Sequence, residues 1–150
     1  MKDVAPSLIT PHQTGFMPGR FIATNGLLVN MVMEHARRTQ RDDVALLLDQ
    51  ETAFDRVHPL YLRRTLLRFN FLRSFFDFLM NLFFGNRVRV NVNGYFSKKV
   101  TQFWGFRQGN PLSPILFNFA LEPFLRHVLQ DPSFSGFVFD QTTPPIPRPL

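Results

Sequence analysis

Cysteine is absent from the 150-residue chain. That excludes disulfide frameworks, thiolate zinc centres and cysteine nucleophiles together, and it is consistent with a reducing compartment. Tyrosine occurs twice and tryptophan once, against 19 phenylalanines, so the aromatics are mostly packing material without a polar handle. Lysine is scarce as well: of 17 basic residues only Lys2, Lys98 and Lys99 are lysines. No hydrophobic run is long enough to span a membrane. The greasiest stretch, Phe69 to Phe84, is broken by Arg73, Asp77 and Asn81 and reads as a buried amphipathic helix. The first ten residues carry an early Lys and Asp and no long apolar stretch, so no signal peptide is expected there. The expected location is intracellular, nucleus or cytoplasm, without a membrane partner. His12, His35, His58 and His127 are scattered without metal-ligand spacing. No serine sits in a nucleophile elbow, and there is no Walker loop.

What is present is the composition of a globular protein, 45% hydrophobic and 19% charged, at a length that suggests one domain with a modest core. The formal net charge is +6, with 14 arginines. Residues 1–75 carry 10 basic and 7 acidic side chains and residues 76–150 carry 7 and 4, so each half is +3 and no tail holds the excess. Guanidinium forks suit phosphate oxygens, which points toward a polyanion such as nucleic acid; the plainer reading is a protein of high isoelectric point.

No internal repeat is found. Met1–Gly19 reads as a loop, punctuated by Pro6, Pro11, Gly15, Pro18 and Gly19. A helix is expected from about Phe21 to Gln40, with Leu28, Val32 and Ala36 four apart and Arg37, Arg38 and Arg41 near its C-terminal end. Val44–Leu48 is a short apolar run and predicts a strand buried on both faces that delivers Asp49 at its end. His58-Pro59 opens a helix with the stripe Leu62, Leu66 and Phe69. A second helix places Leu72, Phe75, Phe76, Leu79 and Phe83 on one face. Arg87–Val100 is the clearest β signal: Val88, Val90 and Val92 alternate with polar residues, and Asn93-Gly94 is a preferred hairpin turn. That turn would set Val92 opposite Tyr95 and Arg89 opposite Lys98, with Arg87, Arg89 and Lys98 on one face. Such a face suits a passing phosphate backbone, or else is a solvated edge that deters aggregation. Trp104–Ser113 reads as a Gly/Pro loop, and Pro114 to Gln130 as a buried helix that Pro123 must kink or whose start it must displace. Gln141 to Leu150, with four prolines, reads as an extended tail.

Asp49 is the acid of most interest. A carboxylate at the end of an apolar strand lies where ligands collect, and magnesium takes one or two carboxylates plus substrate phosphates; the alternative is a capping or turn aspartate. Asp55 would be about 20 Å away on a continuous strand, so the two do not make an acid/base dyad. Asp55 reads as a turn residue, and Asp42-Asp43 as a solvated turn.

Three boxes then occur in order: Gln13-Thr14-Gly15-Phe16-Met17-Pro18-Gly19-Arg20, Leu46-Leu47-Leu48-Asp49-Gln50-Glu51-Thr52-Ala53-Phe54-Asp55-Arg56-Val57, and Arg107-Gln108-Gly109-Asn110-Pro111-Leu112-Ser113-Pro114-Ile115-Leu116-Phe117. Together, over about Gln13 to Gly136, they resemble the reverse transcriptases of non-LTR (LINE-type) retrotransposons. The resemblance implies an α+β fold, a partial right-hand polymerase: palm with part of the fingers, helices packed on a small antiparallel sheet. Residues 1–12 would be an N-terminal loop, 13–139 the partial palm and fingers, and 140–150 a proline-rich tail. It implies RNA-directed DNA synthesis by two metals, with Mg2+ as cofactor and an RNA template, a DNA primer and deoxynucleoside triphosphates as partners. Asp49 matches the first metal-binding aspartate, and Gln50 the position whose backbone lies near the second metal. Phe54 matches the aromatic gate that rejects a ribose 2′ hydroxyl by volume. Gln108 and Gly109 match the box beside the incoming nucleotide. Arg20 matches a basic position near the template, and Arg107, with Arg87, Arg89 and Lys98, is a further candidate phosphate contact.

Departures from the family matter too. Asn110 stands where the third box usually has Asp, which keeps a capping side chain and loses a charge. The family's Tyr/Phe-Ala-Asp-Asp box does not follow, and Phe139-Asp140 is a poor substitute. The basic finger residues that grip the triphosphate would lie upstream. The expectation is therefore a middle portion of a polymerase domain, lacking flanking segments, inactive alone and marginally stable or prone to aggregate. The competing readings are a non-catalytic basic RNA/DNA-binding remnant and a decayed retrotransposon reading frame.

Overall fold

A computed structural model of the chain describes Met1 and residues 3–139; the tail from Asp140 onward, with the weak metal candidate Asp140, lies outside the described residues. The chain falls into two units, one comprising Met1–Asp49 with the chain from Leu121 onward, the other Gln50–Ala120.

In the first unit, the stretch expected to be all loop contains one helical turn, α1 (Ala5–Leu8), with Pro6 in its opening positions, where a missing N–H costs nothing. Helix α2 (Ala23–Arg38) forms as the four-residue spacing predicts, but none of its residues is fully buried. Glu34 pairs with Arg37 and Arg38 at 2.9 and 2.7 Å. The Arg38 hydrogen bond, foremost, holds its carboxyl below the ordinary 4.5. Val44–Leu48 corrects an expectation: it forms no strand, and Val44, Leu46, Leu47 and Leu48 are 76–92% exposed. A strand needs at least one neighbour to take its backbone hydrogen bonds, and no described strand pairs with this run. Its apolar side chains have no strand partner among the described residues and are left exposed.

The second unit is built from α3 (Pro59–Arg68), α4 (Arg73–Phe83), four short strands and the first part of α5 (Ser113–Gln130). His58 caps α3, its Nδ1 accepting from the Leu60 N–H at 3.1 Å. The predicted stripes are the buried ones: Leu62 and Leu66 on α3, and Phe76, Leu79 and Phe83 on α4. Leu72 is not part of the α4 stripe. It stands at the N-cap and is exposed. Phe69 and Phe71 set their rings edge-on to Phe119 of α5 at 5.2 Å each. Helix α5 continues through Pro123, so the proline does not displace its start. The Tyr61 hydroxyl donates to the Ala120 carbonyl at 2.8 Å, one residue from the Phe119 carbonyl whose helical donor the proline removes.

The strands form two antiparallel ladders. β1 (Asn86–Val88) pairs with β4 (Val100–Gln102), and β2 (Asn91–Val92) with β3 (Tyr95–Phe96). Asn93 and Gly94 both have positive φ, 52° and 87°, the backbone a tight two-residue hairpin requires. Val92 lies opposite Tyr95 as expected. Arg89 and Lys98 do not pair. Between the Val88–Val100 pair and the Val90–Ser97 hydrogen bonds the return arm carries one residue more than the outgoing arm, and Lys98-Lys99 occupies the excess. This bulge removes a like-charge pair from the ladder. The architecture is thus helices together with small antiparallel ladders.

Candidate functional site

The second and third boxes meet inside the second unit. The turn after Gln50 closes through Asp55 N–H to Thr52 carbonyl at 2.9 Å. The chain then runs beside residues 104–106: Phe106 N–H donates to the Phe54 carbonyl at 2.9 Å and Gly105 N–H to the Val57 carbonyl at 3.0 Å. Gly105 lies against Asp55 so closely that a Cβ there would stand 2.7 Å from the Asp55 Cα. The half-buried Phe54 ring stacks on Phe117 at 5.0 Å and 26°. His58 meets Trp104 edge-on at 4.5 Å. One continuous seam therefore joins the candidate gate, Phe54, to the start of the Arg107-Gln108-Gly109 loop.

That loop is tied at both ends. Ser113, itself buried, donates from Oγ to the Arg107 carbonyl at 2.7 Å. Gln102 accepts from Arg107 Nε at 3.1 Å and donates to the Gly105 carbonyl at 3.1 Å. Asn110 Oδ1 accepts from the Leu112 N–H at 2.9 Å, so the turn-forming function survives its replacement of Asp. Between these ties Gln108 and Gly109 are exposed. Gly109 has φ +82°, and nothing lies within 4 Å of where its Cβ would be. Conformation calls for glycine there, and the space above the turn is open.

Asp49 and Gln50 are exposed, on opposite sides of the boundary between the two units. Among the described residues no three His, Asp or Glu side chains gather as a metal-holding group. Arg20, half-buried, directs its guanidinium to main chain: Nη1 donates to the Thr10 and Gln13 carbonyls and Nη2 to those of Pro6 and Ile9. Its fork ties the start of the first box, at Gln13, to the chain that precedes it. Gln13 in turn donates at 2.6 Å to the fully buried Glu122, which also accepts from Thr10 N–H at 2.8 Å and Arg126 Nε at 2.8 Å. Sequence reading missed Glu122 and Gly105. The only local signal was a glutamate amid apolar helical residues and a glycine just before a box. Arg87, Arg89 and Lys98 are exposed on the hairpin. A concavity of about 500 Å³ in the first unit, lined by Leu27, Met31, His35 and Phe139 among others, contains no residue of the three boxes.

The ordered boxes and the seam between two of them define a nucleotidyl-polymerase class of protein, and the comparisons agree. The profile of the family described as "Reverse transcriptase (RNA-dependent DNA polymerase)" matches residues 1–140, and the chain belongs to that family, on its non-LTR retrotransposon branch. It is 38% identical over 125 residues to the "Transposon TX1 uncharacterized 149 kDa protein" of Xenopus laevis, a match covering 83% of this chain and 10% of that one. It is 33% identical over 116 residues to the "Retrovirus-related Pol polyprotein from type-2 retrotransposable element R2DM" of Drosophila melanogaster, covering 77% and 11%. A Pol polyprotein from a type-1 retrotransposable element R2 of Nasonia vitripennis is 26% identical over 127 residues, covering 85% and 12%. The chain thus spans about a tenth of the length of these relatives. Among the described residues no helix is long and apolar enough to cross a membrane.

Proposed function

We propose that residues 13–139 are part of the palm and fingers of a right-hand RNA-directed DNA polymerase, and that the Phe54–Phe106 seam carries the face that meets the incoming deoxynucleotide. The observation that supports this most is the pair of backbone hydrogen bonds joining the second box to Gly105 and Phe106, the residues that lead into the third, together with the stack of Phe54 on Phe117. The hydrogen bonds hold the Phe54 backbone beside the chain that leads into the turn at Gln108 and Gly109, which supports reading ring and turn as parts of one site. On this reading Phe54 excludes a 2′ hydroxyl by volume. Gln108 supplies amide hydrogen bonds, and Gly109 leaves the nascent pair room to approach. Arg107 and the hairpin cations Arg87, Arg89 and Lys98 contact phosphates of an RNA template and DNA primer. Arg20 adds its charge along the template path while its fork holds the loop.

Asp49 fits one part of a magnesium site: it is an exposed carboxylate next to Gln50, whose backbone would lie alongside. One carboxylate with substrate phosphates is within the range magnesium accepts, but two metals need further carboxylates. With two Mg2+ ions held by Asp49 and the further carboxylates, one would activate the primer 3′ hydroxyl and the other would hold the triphosphate and stabilise the leaving pyrophosphate. The chain by itself is therefore expected to be inactive, and flanking polymerase segments to complete the site.

Primer extension on an RNA template tests this. The chain alone should give no product. Exchanged for the matching segment of the Drosophila relative's polyprotein, it should give product that Asp49→Ala abolishes. Templated synthesis that survives Asp49→Ala would remove Asp49 from the chemistry.

A further inference from the structure

Between Asp77 and Glu122 the chain has no acidic residue, while Arg87, Arg89, Lys98, Lys99 and Arg107 all fall there. Four of these five cations sit on the hairpin, exposed, and no described carboxylate pairs with them. The ladder register adds an aromatic to that face. Phe96 pairs with Asn91, and along the outgoing arm Asn91 shares its face with Arg89 because side chains alternate. Phe96, 63% exposed, therefore stands among the cations, on the opposite face from Tyr95 and Val92. The Lys98-Lys99 bulge begins two residues beyond it, and such bulges re-aim side chains. An exposed flat ring flanked by unpaired cations fits a base stacked on the ring with its phosphates held on either side. Duplex offers phosphates but keeps its base faces covered.

We propose that this face, with Phe96 as its stacking platform, binds single-stranded nucleic acid in preference to duplex. The inference rests on the polymerase reading only in taking nucleic acid as the partner; neither the Phe54 seam nor Asp49 enters it.

Fluorescence anisotropy of the full chain with labelled single-stranded RNA and DNA oligomers, and with a duplex of the same sequence, tests it. Phe96→Ala should weaken single-strand binding by about five- to a hundredfold, leave duplex binding and the salt slope unchanged, and be rescued by Phe96→Trp. Lys98→Ala with Lys99→Ala should instead lower the salt slope by about 0.7 for each phosphate that is no longer neutralised. Phe96 is exposed, so unchanged circular dichroism of the variant should exclude misfolding. An unaltered single-strand affinity in Phe96→Ala, or an equal loss on duplex, overturns the platform while leaving the polymerase reading intact. No binding of any nucleic acid by the unmodified chain at low salt overturns the platform and removes the nucleic-acid contacts from the polymerase reading too.

Discussion

At Gly105 an added Cβ would meet the Asp55 Cα and carbonyl oxygen, both at 2.7 Å, in a backbone with φ +77°. These atoms are main chain and cannot swing aside as a side-chain tip can. Gly105→Ala should therefore cost about 1–3 kcal/mol, as overpacking does, with further strain from the left-handed φ. Urea unfolding checks it, followed by the fluorescence of Trp104, the single tryptophan of the chain, which adjoins the seam. Gly109 is the contrast: its φ is also positive, but nothing lies nearby, so alanine there strains the backbone without a clash and should cost less. Glu34 offers a pH test. Its carboxyl is held low by Arg38, so its contribution to α2 is present above the ordinary 4.5 and is lost as pH falls through the lowered value. Glu34→Gln should flatten that acid limb in a thermal melt followed by circular dichroism. Residue-scale features such as Arg20's four carbonyls and Glu122's donors were hidden from sequence reading. They depend on partners distant along the chain, 109–112 residues away in the case of Glu122 with Thr10 and Gln13.

The elements that were legible are those whose signals are local. The cap and stripe of α3, the Phe76-Leu79-Phe83 face of α4 and the Asn93-Gly94 turn each depend on residues a few positions apart, and each forms as read. The bulge at Lys98-Lys99 was not legible, because a one-residue offset between two ladders leaves no mark in the alternation of either arm. Val44–Leu48 failed for the opposite reason. Its pattern states what a sheet interior would want, whereas strand formation depends on neighbours that no described strand provides. A consequence follows for the isolated chain. With Leu46 and Leu47 78% and 82% exposed, Leu47→Lys should leave the stability to urea within about 0.5 kcal/mol of the parent. It should also lower aggregation, read by static light scattering, because a charge interrupts a β-prone apolar window.

For the whole molecule, membership of the reverse transcriptase family is carried by three boxes in order and by profile and relatives alike, and the chain covers about a tenth of those relatives. Main-chain hydrogen bonds tie the second box to the residues that lead into the third, and Phe54 stacks on Phe117, which is more than order in the sequence required. Spacing along a chain says that boxes follow one another; only the fold brings the Phe54 carbonyl to the Phe106 N–H. On the proposed reading this seam presents a sugar-screening ring to the nucleotide. The decisive test is the ratio of deoxyribonucleotide to ribonucleotide incorporation by the segment-exchanged polymerase, with Phe54 intact and with Phe54→Ala. A steep fall in that ratio is expected, through faster ribonucleotide use at nearly unchanged deoxyribonucleotide use. An unchanged ratio, or an equal loss of both activities, would contradict it.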